Sequence, residues 1–148
     1  MTIGEVCNRE VIITDEDSSV IEAAQLMREM HVGDLIVVKE INGENHPVGI
    51  VTDRDLVVEV LAQEVNTNGV AIRDVMTRDP QAVGEEMNTL EALKQMRQLG
   101  VRRMPVVNDR GGLVGILTVD DALSLIHEAL DNLVALVGRE IDNEIARR

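Results

Sequence analysis

The sequence contains no phenylalanine, tryptophan or tyrosine. Its core must therefore be built from Val, Ile, Leu, Ala and Met, and a flat ligand has to be held by aliphatic walls rather than by stacking on rings. There is a single cysteine, Cys7, so no intrachain disulfide and no cysteine-pair zinc site can form, which fits a cytoplasmic protein. Bases are scarce: 14 Lys and Arg face 27 Asp and Glu, and the formal charge of −13 repels phosphate backbones, so nucleic acid is not an expected partner. No apolar run is long enough to span a bilayer, and Met1 to Glu10 lacks the apolar stretch of a signal segment, so no membrane role is expected. Signatures of catalysis are missing as well. There is no Gly-Lys-Ser/Thr loop and no His-Glu-x-x-His, and Cys7, His31, His46 and His127 form no nucleophile constellation.

What the chain does have is a duplication. Gly49 to Leu56 reads GIVTDRDL and Gly115 to Ala122 reads GILTVDDA. Shifting residues 3–38 by 69 positions pairs Ile3 with Ile72, Val6 with Val75, Glu22-Ala23 with Glu91-Ala92, Met27-Arg28 with Met96-Arg97, and Val37-Val38 with Val106-Val107. The offset then falls to 66, because Lys39 to Pro47 is longer than Asn108 to Leu113; loops tolerate such a difference. With 148 residues, 45% of them hydrophobic, each half of about 65 residues would be marginal alone, and the two are expected to share a core.

Each copy reads as a leading segment, a short strand, a helix, a pair of strands and a second helix. In the first, Val11 to Thr14 is β-branched, and Ser19-x-x-Glu22 is a capping box opening a helix to about Met30. Leu35 to Val38 and Val48 to Val51 read as buried strands around the turn Asn42 to Asn45, and Leu56, Val57, Val60 and Leu61 continue at helical spacing. The second copy repeats this with Ala82-Val83, a helix capped by Asn88, Met104 to Val107, and Leu113 to Leu117. Its last helix runs on through Leu123, Ile126, Leu130, Leu133, Val134, Val137, Ile141 and Ile145. A stripe of that length needs a partner surface, either its own domain or another subunit, and the inter-subunit role is favoured. The divisions expected are 1–66 for the first repeat, 67–125 for the second and 126–148 for a C-terminal helical extension.

The shared motif has a physical rationale. Thr52 and Thr118 end a strand and start a helix, where free N–H groups and the positive end of the dipole favour an anion. Asp55 and Asp121 follow in the first turn, and a carboxylate can accept both vicinal hydroxyls of a ribose. Gly49 and Gly115 leave the strand backbone open to close approach, here expected from a ligand. Capping alone would account for either Thr-x-x-Asp taken singly; its occurrence twice after Gly-Ile argues for a site. Asp53/Asp55 and Asp120/Asp121 could hold magnesium, but acids at helix starts are expected from the dipole, and no metal site is assigned.

The order of elements and the paired Gly-hydrophobic-x-Thr-x-x-Asp motif resemble the cystathionine β-synthase (CBS) domain, here as a tandem pair or Bateman module over nearly the whole chain. The leading motifs Gly4-Glu5-Val6-Cys7 and Arg73-Asp74-Val75-Met76-Thr77 share the resemblance, which is closest to small stand-alone CBS-pair proteins. It implies an α/β (α+β) fold of two pseudo-symmetric repeats, each strand-helix-strand-strand-helix, packed into one module. It implies a regulatory sensor that binds an adenosine-containing ligand (AMP, ADP, ATP, NAD or S-adenosylmethionine) in the cleft between repeats, works as a homodimer and signals to an unknown downstream protein. The alternative is a structural dimerisation adaptor without nucleotide.

By the same resemblance the adenine walls come from Ile12, Ile13, Ile50, Ala82, Val83 and Ile116. The ribose and phosphate contacts come from Thr52, Asp53, Arg54 and Asp55 and from Thr118, Asp120 and Asp121. The copies diverge at the second strand, His31-Val32-Gly33-Asp34 against Gly100-Val101-Arg102-Arg103. Arg102 and Arg103 read as a phosphate clamp or as partners of surface acids. Asp53-Arg54 of the first motif face Val119-Asp120 of the second, so two sites should not be equivalent.

Overall fold

The computed structural model describes residues 1–148. The first repeat contains β1 (Ile13–Thr14), α2 (Val20–Met30), the antiparallel pair β2 (Asp34–Ile41) and β3 (Glu44–Thr52), and a helix that begins as α3 (Asp53–Asp55) and continues as a π-helical turn over Leu56–Leu61; a short helix α1 (Ile3–Val6) precedes them. A 3₁₀ turn (Ile72–Asp74) and β4 (Thr77–Arg78) lead into β5 (Val83–Gly84), α4 (Thr89–Leu99), β6 (Arg103–Val107), β7 (Leu113–Thr118) and α5 (Val119–Arg147). The α/β architecture is the one expected, although β2 and β3 run further toward their turn than the apolar residues alone indicate. Ladder pairs such as Lys39 with His46 and Ile41 with Glu44 extend them.

Local chemistry accounts for the boundaries. Ser19 caps α2, its Oγ accepting the Glu22 N–H at 3.1 Å while the Glu22 carboxylate accepts the Ser19 N–H at 3.0 Å. Asn88 caps α4 through the Leu90 N–H at 2.9 Å. Both helices end on a left-handed residue: Gly100 at φ 67° after α4, and His31 at φ 56° in the equivalent place after α2. Glycine meets that geometry without strain; histidine does not. Both hairpins shift register at one equivalent point, between Val37 and Val38 and between Val106 and Val107.

The strands form two sheets, β1-β2-β3-β4 and β5-β6-β7, with the outer short strand parallel to its neighbour and the hairpin antiparallel. The repeats exchange their leading segments. Ile3 is buried among Val83, Ala92, Met96, Met104, Val106 and Leu117 of the second repeat, whereas Ile72 and Met76 are buried among Ala23, Met27, Leu35, Val37 and Val51 of the first. β4 pairs with Gly49 and Ile50 of β3, and Asn8 makes the matching bridge to Ile116 of β7. A third cluster, Ile36, Val38 and Ile116, joins the sheets.

This exchange corrects the role read for the two motif glycines. A Cβ on Gly49 would collide with the Met76 sulfur, and one on Gly115 would lie 2.6 Å from Cys7 Sγ and 2.9 Å from the Asn8 carbonyl. The close approach they permit is that of the exchanged segments rather than of a ligand.

Helix α5 is packed on the module only near its start, where Ala122 is buried and Leu125 half-buried. Leu123, Ile126, Leu130, Val134, Val137, Ile141 and Ile145 are 48–72% exposed. They recur at spacings of 3, 4 and 4, an eleven-residue period that keeps one straight apolar face along the helix.

Candidate functional site

β3 and β7 each end at a threonine, and a helix starts at the next residue. Thr52 Oγ1 accepts the Asp55 N–H at 3.1 Å, and Asp55 Oδ2 accepts the Thr52 N–H at 2.8 Å. At the second junction Thr118 Oγ1 accepts the Asp121 N–H at 3.1 Å but donates its own O–H to Asp121 Oδ2 at 2.7 Å. Each junction is latched to the start of the adjacent strand, the Asp53 N–H donating to the Gly33 carbonyl and the Val119 N–H to the Arg102 carbonyl, both at 2.9 Å. The two helix starts are thus built on one pattern.

A cleft of about 450 Å³ opens at the first junction, within the range of small-molecule pockets. Ile50, Thr52, Asp53 and Arg54 line it from the first repeat; Thr77, Asp79, Pro80 and Gln81 line it from the crossing segment; Leu99, Val101, Arg102 and Arg103 line it from the second repeat. Six residues singled out in the sequence, Ile50, Thr52, Asp53, Arg54, Arg102 and Arg103, are therefore brought together. Asp55 is not on the cleft surface; its carboxylate is held in the cap of α3.

Thr118, Asp120 and Asp121 stand at the other junction, and Ile12 and Ile13 occupy positions equivalent to Gln81 and Ala82. Two expected adenine walls need correction. Val83 is 1% exposed in the second repeat's core, and Ile116 packs with Ile36 and Val38 between the sheets. Ala82 is half-buried beside Val83 and does not line the cleft either. The wall falls instead to Pro80 and Gln81, in the segment between β4 and β5. These two, with Thr77, Asp79, Leu99 and Val101, were not anticipated. The Asp79-Pro80 pair marks a chain reversal, but only the pairing of β4 with β3 brings it to Ile50.

Three arginines, Arg54, Arg102 and Arg103, and two aspartates, Asp53 and Asp79, give the cleft its charge. Arg103 Nη1 lies 2.9 Å from Asp34 Oδ1 of the first repeat. Residues 34 and 103 are equivalent under the 69-residue shift, so this ion pair joins equivalent positions of the two repeats. Nη1 is buried, and its angle to Asp34 does not make a hydrogen bond, so the guanidinium keeps unused donor capacity. Burial pushes the Asp34 carboxyl above the usual aspartate range; the Arg103 charge pulls it down and the Asp53 charge pushes it up.

At the opposite end of the sheets, the Arg110 side chain donates to Glu44 Oε1 at 2.7 Å and Asn108 Nδ2 to Glu44 Oε2 at 3.2 Å, a second polar clasp between the repeats. Those two hydrogen bonds hold the Glu44 carboxyl below its ordinary range. No group of three His, Cys, Asp or Glu converges to hold a metal, and no helix is long and apolar enough to cross a membrane.

Two strand-helix-strand-strand-helix units with exchanged leading segments, set about a shared cleft, define a tandem-repeat α/β module. The CBS domain family pattern matches residues 3–62 and 72–128, and the chain belongs to the CBS domain family. An uncharacterized protein of Methanopyrus kandleri is 39% identical over 125 residues, which cover 84% of this chain and 62% of that protein. The chain thus spans less than two thirds of that relative's length. A CBS domain pair solved in complex with 5′-methylthioadenosine and S-adenosyl-L-methionine superposes with a TM-score of 0.74 at 26% identity, covering 87% of this chain and 98% of the other. A CBS domain protein from Pyrobaculum aerophilum complexed with AMP gives a TM-score of 0.72 at 25% identity, covering 82% and 89% of the two chains.

Proposed function

We propose that this chain is a regulatory module without catalysis of its own, which binds an adenosine-containing ligand in the cleft between its repeats and acts as a cytoplasmic homodimer. The observation that carries the reading is the cleft itself, where aliphatic walls from both repeats meet a helix start and three arginines. Ile50, Pro80, Leu99 and Val101 offer apolar surface for a base. Asp53, or Asp55 released from its cap, accepts from a ribose, and Arg54, Arg102 and Arg103 suit a phosphate. Support also comes from the two solved relatives, whose ligands share the adenosine group. AMP, ADP, ATP, NAD and S-adenosylmethionine are the candidates.

A ligand touching both repeats changes their relative arrangement only to the extent that it prefers one arrangement over another. The signal would leave through the module's own assembly surface, and the exposed stripe of α5 is that surface in our reading. Its eleven-residue period suits helices that pair side by side with a slight right-handed twist.

The experiment is a melting series with AMP, ATP, NAD and S-adenosylmethionine. At about 100 times its dissociation constant, a bound ligand should stabilise the protein by roughly 2.7 kcal/mol and raise its melting temperature by about 5–10 °C. The capping bonds of Asp55 and Asp121 favour a second reading, a dimerisation adaptor in which both motifs only start helices. That reading expects no shift with any of the four.

A further inference from the structure

Beyond Leu125 every residue of α5 is exposed, so the stripe from Leu123 to Ile145 runs along about 33 Å of helix without a partner in its own chain. Three features say what covers it. The first is the period: a helix can follow an eleven-residue stripe over its whole length only if it repeats at eleven itself, and an identical helix does so by construction. The second is Gly138. It stands in the middle of α5, where glycine is among the poorest residues for a helix, and it lies beside Val134 and Ile141 on the flank of the stripe. Nothing lies within 4 Å of where its Cβ would be, so no contact inside the chain calls for the missing side chain. A second helix pressed against that flank would. The third is charge. Val119–Leu133 carries four acids and no Lys or Arg, whereas Val134–Arg148 carries three arginines, Arg139, Arg147 and Arg148, against three acids.

We propose that α5 pairs with the α5 of a second copy in antiparallel orientation, centred on Val134, with Gly138 of each helix packed at the level of Leu130 of the other. This rests on the reading that the chain assembles through α5. Overlap of the whole stripe with its own reverse fixes the centre, and brings Arg147 and Arg148 of one helix to the level of Asp121 and Asp120 of the other. A parallel pair would instead set four acids against four acids at one end, in a chain whose formal charge is already −13. Opposed helix dipoles favour the antiparallel pair as well. The contact is isologous and closes at two chains. Because Ala122 anchors the start of α5 in its own module, the two modules stand at opposite ends of the helix pair. No residue lining the described cleft belongs to α5, so each cleft stays open in the dimer.

The test uses the full chain. Sedimentation gives the dissociation constant of the wild type, Gly138→Ala and Gly138→Leu. Spin labels at Ser124→Cys or Ala135→Cys, each with Cys7→Ser, give distances between the two copies. Dimers are expected, with the Ser124 labels offset by about 30 Å along the pair and the Ala135 labels side by side. Leucine favours a helix more than glycine does, yet Gly138→Leu should weaken the dimer at least tenfold and Gly138→Ala less, while amide exchange shows β6 and β7 still protected. Short distances at both positions would mean parallel helices, and long distances at both would place the interface elsewhere; either overturns the proposal. An undiminished Gly138→Leu dimer would overturn the packing at Gly138. A wild type that stays monomeric would strike the assembly reading itself and leave ligand binding in the cleft untouched.

Discussion

Replacing Ile3 by alanine removes three carbons from a residue with no exposed surface, enclosed by Val83, Met96, Met104 and Leu117 of the second repeat. At about 0.8 kcal/mol per buried carbon plus a cavity term, the cost is about 2–4 kcal/mol. For a chain of this size that lowers the melting temperature by about 5–15 °C. Ile72→Ala, equally buried but against Ala23, Leu35, Val37 and Val51, should cost a similar amount. Where each loss is felt is the sharper matter. Amide exchange read strand by strand should show Ile3→Ala loosening β6 and β7, more than 90 residues away, while β2 and β3 of its own sequence repeat keep their protection. Ile72→Ala should do the reverse. If each substitution instead exposes the strands of its own half, the exchange of leading segments is refuted.

Four further outcomes are expected. Asp55→Ala removes the acceptor of the Thr52 N–H and should cost about 1 kcal/mol by denaturant unfolding; loss of the ligand-induced melting shift on top of that would show the carboxylate leaving its cap to bind. His31→Gly relieves a left-handed residue and should stabilise by about 1 kcal/mol, since Gly100 already fills the equivalent place; a loss of stability would mean the imidazole makes a contact worth more than the strain. Deleting residues from Val134 onward removes the C-terminal part of the exposed α5 stripe, and sedimentation should then show a smaller species; an unchanged oligomer would place the interface elsewhere. The Glu44 carboxyl is held below its ordinary range, so its contribution is fully present above the unfolded-state pKa and is lost as pH falls through the folded one. Arg110→Ala should flatten that part of the acid unfolding curve, and an unchanged curve would mean the clasp contributes nothing.

Much of the fold was legible because the chain repeats itself. The offsets of 69 and then 66 located both capped helices, both buried strand pairs and both Thr-x-x-Asp junctions, since capping residues and apolar runs act locally. The exchange was not legible. Ile3 and Ile72 announce that they are buried, but nothing in either segment says which copy buries it, and the glycines that permit the crossing look the same whether a ligand or a strand approaches. The site was legible in part for the same reason. Thr52, Asp53, Arg54, Arg102 and Arg103 carry chemistry that can be read from their type, whereas Pro80, Gln81, Leu99 and Val101 serve only as surface and are found by position. The Asp34–Arg103 pair was hidden differently, because it forms only when two equivalent strands are set face to face.

The central claim is that the cleft holds an adenosine-containing ligand, and the missing aromatics make it directly measurable. With no Trp, Tyr or Phe, the protein contributes almost nothing to near-ultraviolet absorbance, so adenine is counted against an empty background. Equilibrium dialysis against a mixture of AMP, ATP, NAD and S-adenosylmethionine should leave excess adenine absorbance on the protein side, released by denaturation. Equal absorbance on both sides, at protein concentrations well above the range of micromolar affinities, would contradict the account.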